Sequence, residues 1–267
     1  MTTQTEQEEL KEGEGTLLSH LIELRTRLVR IALAVIVLFI ALAPFSEHVF
    51  TLVATPLMAQ LPANTSMIAT QVASPFLTPF KLSFVCAVFL AMPVILYQVW
   101  AFVAPGLYAT EKRFVMPLLV SSVFLFYLGV AFAYYVLFPL MFGFFTRVAP
   151  EGVAVMTDIS AYLDFVIAIF FAFGLAFEVP VATVLLVRTG IVTPAQLTGK
   201  RPYVFLGAFV LGMFLTPPDV ISQTLLALPM YLLYEAGIIM SRLVVPGHKE
   251  VEEQKAADGA DSGDPRL

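Results

Sequence analysis

Apolar residues in this chain run in long blocks instead of alternating with polar ones. Six blocks read as bilayer spans: 28–43, 82–102, 114–138, 162–187, 203–215 and 220–239. Two long connections, 44–81 and 139–161, carry Pro, Ser, Thr and Gly and are expected to be loops. The fifth block supplies about 20 Å of helix at 1.5 Å per residue, against a hydrocarbon core of about 30 Å. Pro217 and Pro218 then force a turn before Asp219, and the sixth block holds Gln223, Pro229 and Glu235. Such a hairpin either leans on a neighbour that absorbs the mismatch or offers a face to a partner helix in the membrane. No internal repeat accompanies the blocks, which weighs against an inverted-repeat transporter.

Ahead of the first block, Leu17, Leu21, Leu24 and Leu28 recur at helical spacing and make one apolar face. His20, Glu23 and Arg27 fall on another, and Glu23 to Arg27 is an i,i+4 pair in the favourable orientation. The pair is either a solvated charged face or a carboxylate presented to a cationic ligand.

Composition supports the membrane reading: 59% of the 267 residues are hydrophobic and 13% charged, where soluble domains average about 45–50% and about 25%. The net charge of −5 belongs to the ends, which hold eleven of the 20 acidic residues. The tails 1–16 and 244–267 are expected to be disordered, and 17–243 to form one slightly basic membrane domain. Arg25, Arg27, Arg30, Lys112, Arg113, Arg188, Lys200, Arg201 and Arg242 fall on one side of the six blocks, and only Lys81 and Arg147 on the other. The positive-inside rule makes the crowded side cytoplasmic and, with six spans, puts both termini there.

Several chemistries lack their residues. Cys86 is the sole cysteine, so no disulfide can form within the chain and no thiolate cluster can bind a metal. The histidines, His20, His48 and His248, lie outside the blocks, and no metalloprotease, phosphate-loop or dinucleotide motif occurs. No basic stripe with interleaved aromatics suggests nucleic acid. The expectation is therefore a protein without catalytic residues, metal or cofactor. The first block has no small-residue cleavage site after it and is read as a retained span.

Two more acids carry candidate chemistry. Glu111 is the sole acid in the expected cytoplasmic loops between spans. It either pairs with Lys112 or Arg113, or joins Glu23 in facing two guanidinium groups, which carboxylates bind through charge-assisted hydrogen bonds. Glu178 lies near the middle of the fourth block, and Pro180 leaves the Ala176 carbonyl without its helical donor. It is either a structural acid bonded to a neighbouring helix or a functional polar group within the membrane.

The stretch Ser19-His20-Leu21-Ile22-Glu23-Leu24-Arg25-Thr26-Arg27-Leu28 resembles the amino-terminal signature of the TatC family, the receptor subunit of the twin-arginine protein translocase. So do Ser74-Pro75-Phe76-Leu77-Thr78-Pro79-Phe80-Lys81, Gln98-Val99-Trp100-Ala101-Phe102 with Ala104-Pro105-Gly106-Leu107-Tyr108, Phe177-Glu178-Val179-Pro180, Lys200-Arg201-Pro202-Tyr203 and Leu215-Thr216-Pro217-Pro218-Asp219. The resemblance implies an all-α, glove-like, six-span receptor in the bacterial inner membrane. It would export folded proteins on the proton-motive force, without catalysis. It implies that Glu23, Arg25, Phe102 and Glu111 bind the twin-arginine signal peptide and that Glu178 serves transport. It further implies that Met213, Thr216 and Gln223 dock the single-span partners TatA and TatB, with self-association and lipid as the other contacts. The residues alone leave one rival, a proton-coupled small-solute transporter using Glu178 as its relay.

Overall fold

The computed structural model describes residues 2–60, 66–103, 115–148, 156–216 and 219–244, with side chains from Leu21 onward and those of Val103 and Val115 excepted. Among these residues the chain is helical, apart from one isolated bridge between Ile68 and Asp158. It forms two compact units, residues 1–54 with 69–123 and residues 55–68 with 124–267.

The first unit is built on α1 (Thr2–Leu42), which a short 3-10 turn (Ala43–Phe45) links to α2 (Ser46–Met58). No Gly or Pro interrupts residues 16–43, and Pro44 opens the turn that ends α1. Leu28, Leu33, Ile36 and Ile40 on α1 are exposed, a surface suited to lipid and not to water. Helices α3 (Ser74–Leu90) and α4 (Met92–Val103) pack beside α1, with Phe39 and Phe84 edge-to-face at 5.7 Å. The α3–α4 pair bends by 49° at Ala91, because Pro93 has no N–H to give the Phe89 carbonyl.

The second unit takes in the later part of α5 (Val115–Phe132), a π-helical turn (Ala133–Leu137) and α6 (Phe138–Val148). Helix α7 (Ile159–Ala176) follows, N-capped by the Asp158 carboxylate, which accepts from the Ser160 and Ala161 amides at 2.9 and 3.1 Å. Next comes α8 (Val179–Arg188), released by Gly190 at a φ of 72°. Helix α9 (Pro194–Gly199) opens on a capping box between Thr193 and Gln196. Helices α10 (Arg201–Leu215) and α11 (Val220–Val244) form the last hairpin.

Aromatic rings fill this unit. Phe138 stacks on Phe142 at 5.5 Å and meets Phe170 edge-on at 5.1 Å, while Phe142 reaches Tyr162 at 5.5 Å. Each such pair contributes about 0.5–1.5 kcal/mol beyond its burial. Helices α8 and α11 touch where Gly237 has no side chain. A Cβ there would lie 2.2 Å from the Thr183 hydroxyl oxygen and 3.1 Å from the Pro180 Cα.

Both expected loops prove partly helical. The first connection contains α2 and the start of α3, so the second span begins at Ser74 and is bent. Pro75 falls in the first turn of α3, where a missing N–H costs nothing. In α2 the buried residues Val53, Ala54 and Leu57 mark a helical stripe that outweighs the Ser and Thr around them. The second connection stays helical to Val148. Pro139 follows a turn in which the Phe138 amide already donates five residues back, to the Ala133 carbonyl, so the ladder has shifted where its donor is absent.

Among the described residues, four apolar helical segments are long enough to cross a membrane: Leu21–Met58, Met116–Val148, Ile159–Arg188 and Val220–Val244. The bent α3–α4 pair is a fifth candidate, and Arg201–Leu215 is a shorter apolar helix. The chain is a multi-pass membrane protein.

Candidate functional site

In the first unit a single guanidinium gathers three acceptors. Arg27 directs Nε, at 3.1 Å, and Nη2 to Glu23 Oε1 on its own helix. Nη1 donates to Gln98 Oε1 at 3.2 Å and Nη2 to the Ala101 carbonyl at 3.0 Å. Gln98 is the one side-chain amide in the otherwise apolar α4 and is buried. The Ala101 carbonyl is four residues ahead of Pro105, which has no N–H to give it, so a cation finds that acceptor open. Trp100 is also buried and donates to the Ser122 hydroxyl on α5 at 3.3 Å, fixing the other side of α4. Arg27 is 16% exposed and Glu23 38%. Glu23 therefore holds one oxygen against the protein, and Oε2 accepts nothing from the described residues.

The other expected capture residues are spread differently. Arg25 is exposed and, two residues from Glu23, projects from another face of α1. Phe102 is half-buried and follows the carbonyl that Arg27 caps. Glu111 lies outside the described residues. Arg27 and Gln98 are the residues that sequence reasoning missed as parts of a site. The signal for Gln98 was a lone amide in an apolar helix.

Glu178, expected near the middle of the fourth span beside a break made by Pro180, occupies a two-residue turn between α7 and α8 within the continuous segment Ile159–Arg188. Its backbone N–H donates to the Leu175 carbonyl at 3.0 Å and its carbonyl accepts from Ala182 at 2.9 Å. The side chain is half-buried, and one carboxylate oxygen is sealed from solvent. Ten residues separate Glu178 from Arg188 at the end of α8, about 15 Å of helix.

The three expected docking residues do not share a face. Met213 is 48% exposed. Thr216 is buried and turns its hydroxyl back to the Gly212 carbonyl at 2.9 Å. Gln223 is half-buried, with its Cα 3.6 Å from where a Gly212 Cβ would stand, so it belongs to the seam within the hairpin. The outward apolar stripe of α10 is Leu206, Val210, Met213 and Phe214, all exposed at helical spacing.

A second polar cluster, unexpected from sequence, stands on the last hairpin. Arg201 Nη2 donates to Glu235 Oε2 at 2.6 Å, and the Tyr231 hydroxyl donates to Glu235 Oε1 at 2.8 Å. Tyr234 is buried and donates to the Leu197 carbonyl at 2.7 Å, while Arg242 Nη2 reaches the Thr198 hydroxyl at 2.9 Å. These bonds surround a small core of Val187, Leu197, Tyr234 and Ile238 and tie α9 and α10 to α11. Among the described residues, no group of three His, Cys, Asp or Glu side chains is arranged to hold a metal ion.

Residues 19–229 match the family model described as Sec-independent protein translocase protein (TatC). The Sec-independent protein translocase protein TatC of Escherichia coli is 59% identical over 242 residues, covering 91% of this chain and 94% of that protein. TatCy of Bacillus subtilis is 34% identical over 251 residues, covering 93% and 96%. A crystal structure of the twin-arginine translocase receptor TatC superposes with a TM-score of 0.75 at 36% identity, covering 84% of this chain and 98% of that one.

Proposed function

The chain belongs to the TatC family of Sec-independent protein translocase proteins, a membrane transport component and not an enzyme family, and from that premise we propose that it is the receptor that captures twin-arginine signal peptides. The observation that carries the proposal is the half-engaged Glu23, whose Oε1 is held by Arg27 while the residue stays 38% exposed. A fixed carboxylate with a spare oxygen is the partner a planar guanidinium needs. Glu111 supplies the second carboxylate, and Phe102 and Arg25 flank the peptide. The four long segments, the bent pair and the short α10 make six spans, with both termini in the cytoplasm and the chain in the inner membrane. TatA and TatB helices lie against the outward stripe of α10 around Met213, and Glu178 serves the transport step under the proton-motive force. A proton-coupled solute carrier has no observation in its favour.

The test is a photo-crosslinker placed at Phe102 of the complete chain in inverted membrane vesicles. A precursor with two arginines in its signal is expected to form an adduct, and one with two lysines is not. Equal adducts from both, or none from either, would overturn the assignment.

A further inference from the structure

The Arg27 guanidinium spends its donors on Glu23, on Gln98 and on the Ala101 carbonyl, so it bonds the capture acid and the end of α4 with one rigid group. We propose that Arg27 is the positioning residue of the signal-peptide site: it aims the Glu23 carboxylate and fixes it to the helix end that carries Phe102. The inference rests on the capture reading given above, since it gives Arg27 a role only through Glu23.

The chemistry of the pair sets what such a site offers. Glu23 and Arg27 together are neutral, so the empty site presents an oriented acceptor in place of a loose negative charge. A cargo arginine arriving at Oε2 finds its hydrogen-bond direction already chosen, and the entropy of holding the acid was lost on folding. A cargo lysine, a compact ammonium that takes any direction, gains less from that orientation. Arg27 thereby helps the site to prefer guanidinium over ammonium without touching the peptide. Lysine in place of Arg27 keeps the charge and loses the fork: one ammonium cannot reach the carboxylate, the Gln98 amide and the Ala101 carbonyl in the same geometry.

The experiment is a double-mutant cycle on the complete chain in lipid nanodiscs, with a synthetic twin-arginine signal peptide and its twin-lysine counterpart as probes. Arg27→Lys is expected to bind the twin-arginine peptide about fivefold more weakly and to lose part of its preference over the twin-lysine peptide. Glu23→Ala combined with Arg27→Lys is expected to be no weaker than Glu23→Ala alone. Gln98→Leu leaves both charges in place, and it is expected to shift affinity in the same direction by a smaller factor.

Three results would overturn the proposal. Wild-type affinity and preference in Arg27→Lys would remove the role. Additive losses in the double variant would place the action of Arg27 somewhere other than Glu23. Tighter binding by Arg27→Gln would make Arg27 a competitor of the cargo. Full affinity in Glu23→Ala sinks the capture reading itself, whereas a weak Glu23→Ala beside a normal Arg27→Lys sinks only this inference.

Discussion

Among the described residues, the arginine–glutamate pairs Arg27–Glu23 and Arg201–Glu235 stand one in each unit, and they are finished differently. In the first, Arg27 takes one oxygen of Glu23, and the acid stays 38% exposed, its other oxygen accepting nothing from the described residues. In the second, Arg201 and Tyr231 take one oxygen each, and Glu235 is 21% exposed. Both oxygens of the second carboxylate are engaged by its own protein, and its bonds hold α10 against α11. Residue type and charge are the same in both pairs. Each acid accepts two hydrogen bonds; what separates the binding acid from the structural one is that both fall on a single oxygen in Glu23 and are divided between the two in Glu235.

The largest effect is expected where the second pair has its footing. Gly237→Val would drive a side chain into Thr183 and Pro180, where even a Cβ meets an atom at 2.2 Å. Overpacking of this kind costs about 1–3 kcal/mol or more. Thermal unfolding in detergent should show a clearly lowered midpoint, and an unchanged midpoint would mean that α8 and α11 separate easily.

The crossed pair of alanine variants comes next and tests the comparison most directly. Glu23→Ala should weaken twin-arginine peptide binding by about 1 kcal/mol, below the about 1.5–3 kcal/mol of a dry charge-assisted bond because the acid is partly wet, and leave the midpoint in place. Glu235→Ala should do the reverse, lowering the midpoint while titration calorimetry finds the peptide affinity unchanged. If the two swap behaviours, openness of the carboxylate is the wrong criterion.

Glu178 belongs to neither pair. Glu178→Ala is expected to reduce export by about threefold, near 0.7 kcal/mol on the step it serves, with precursor binding intact. Glu178→Gln should be milder, because it keeps shape and a hydrogen-bonding group. Measuring binding and export separately decides it, and a loss of binding would move the residue into recognition.

The smallest effect concerns salt. Because Arg27 already neutralises Glu23, raising salt from about 0.1 to 1 M, which shortens the Debye length from about 10 to 3 Å, should weaken the Glu23-dependent part of peptide binding less than about twofold. A steep salt dependence of that part, isolated by comparison with Glu23→Ala, would show a net charge at the site.

The spans and the Glu23–Arg27 pair were legible in the sequence because both are local: a run of apolar residues, and two charges one turn apart. Gln98 and Ala101 were not, since nothing within a helix states which other helix it will lie beside. The same limit hid Arg201 from Glu235, 34 residues away. The loops were misjudged for another reason. Pro75 and Pro139 were read as breakers by identity, whereas the first is harmless in an opening turn and the second follows a ladder already shifted by one residue. Met213, Thr216 and Gln223 were grouped by resemblance; Met213 is exposed on α10, Thr216 is the buried residue that ends it, and Gln223 lies on α11 in the seam of the hairpin.

The turn at Ala133–Leu137 has a consequence for how this region can change in length. It houses one residue more than an α-helix would need over the same stretch. Remove any one of those five and the ladder can close into a plain helix while all that follows keeps its direction, because the wide turn already absorbs the about 100° that one extra residue would otherwise add. Phe138 and Phe142 would then still face the rings of α7 they now meet. A single deletion is therefore absorbed within this turn, whereas one placed beyond it in α6 would turn every later side chain by about 100° as far as Val148.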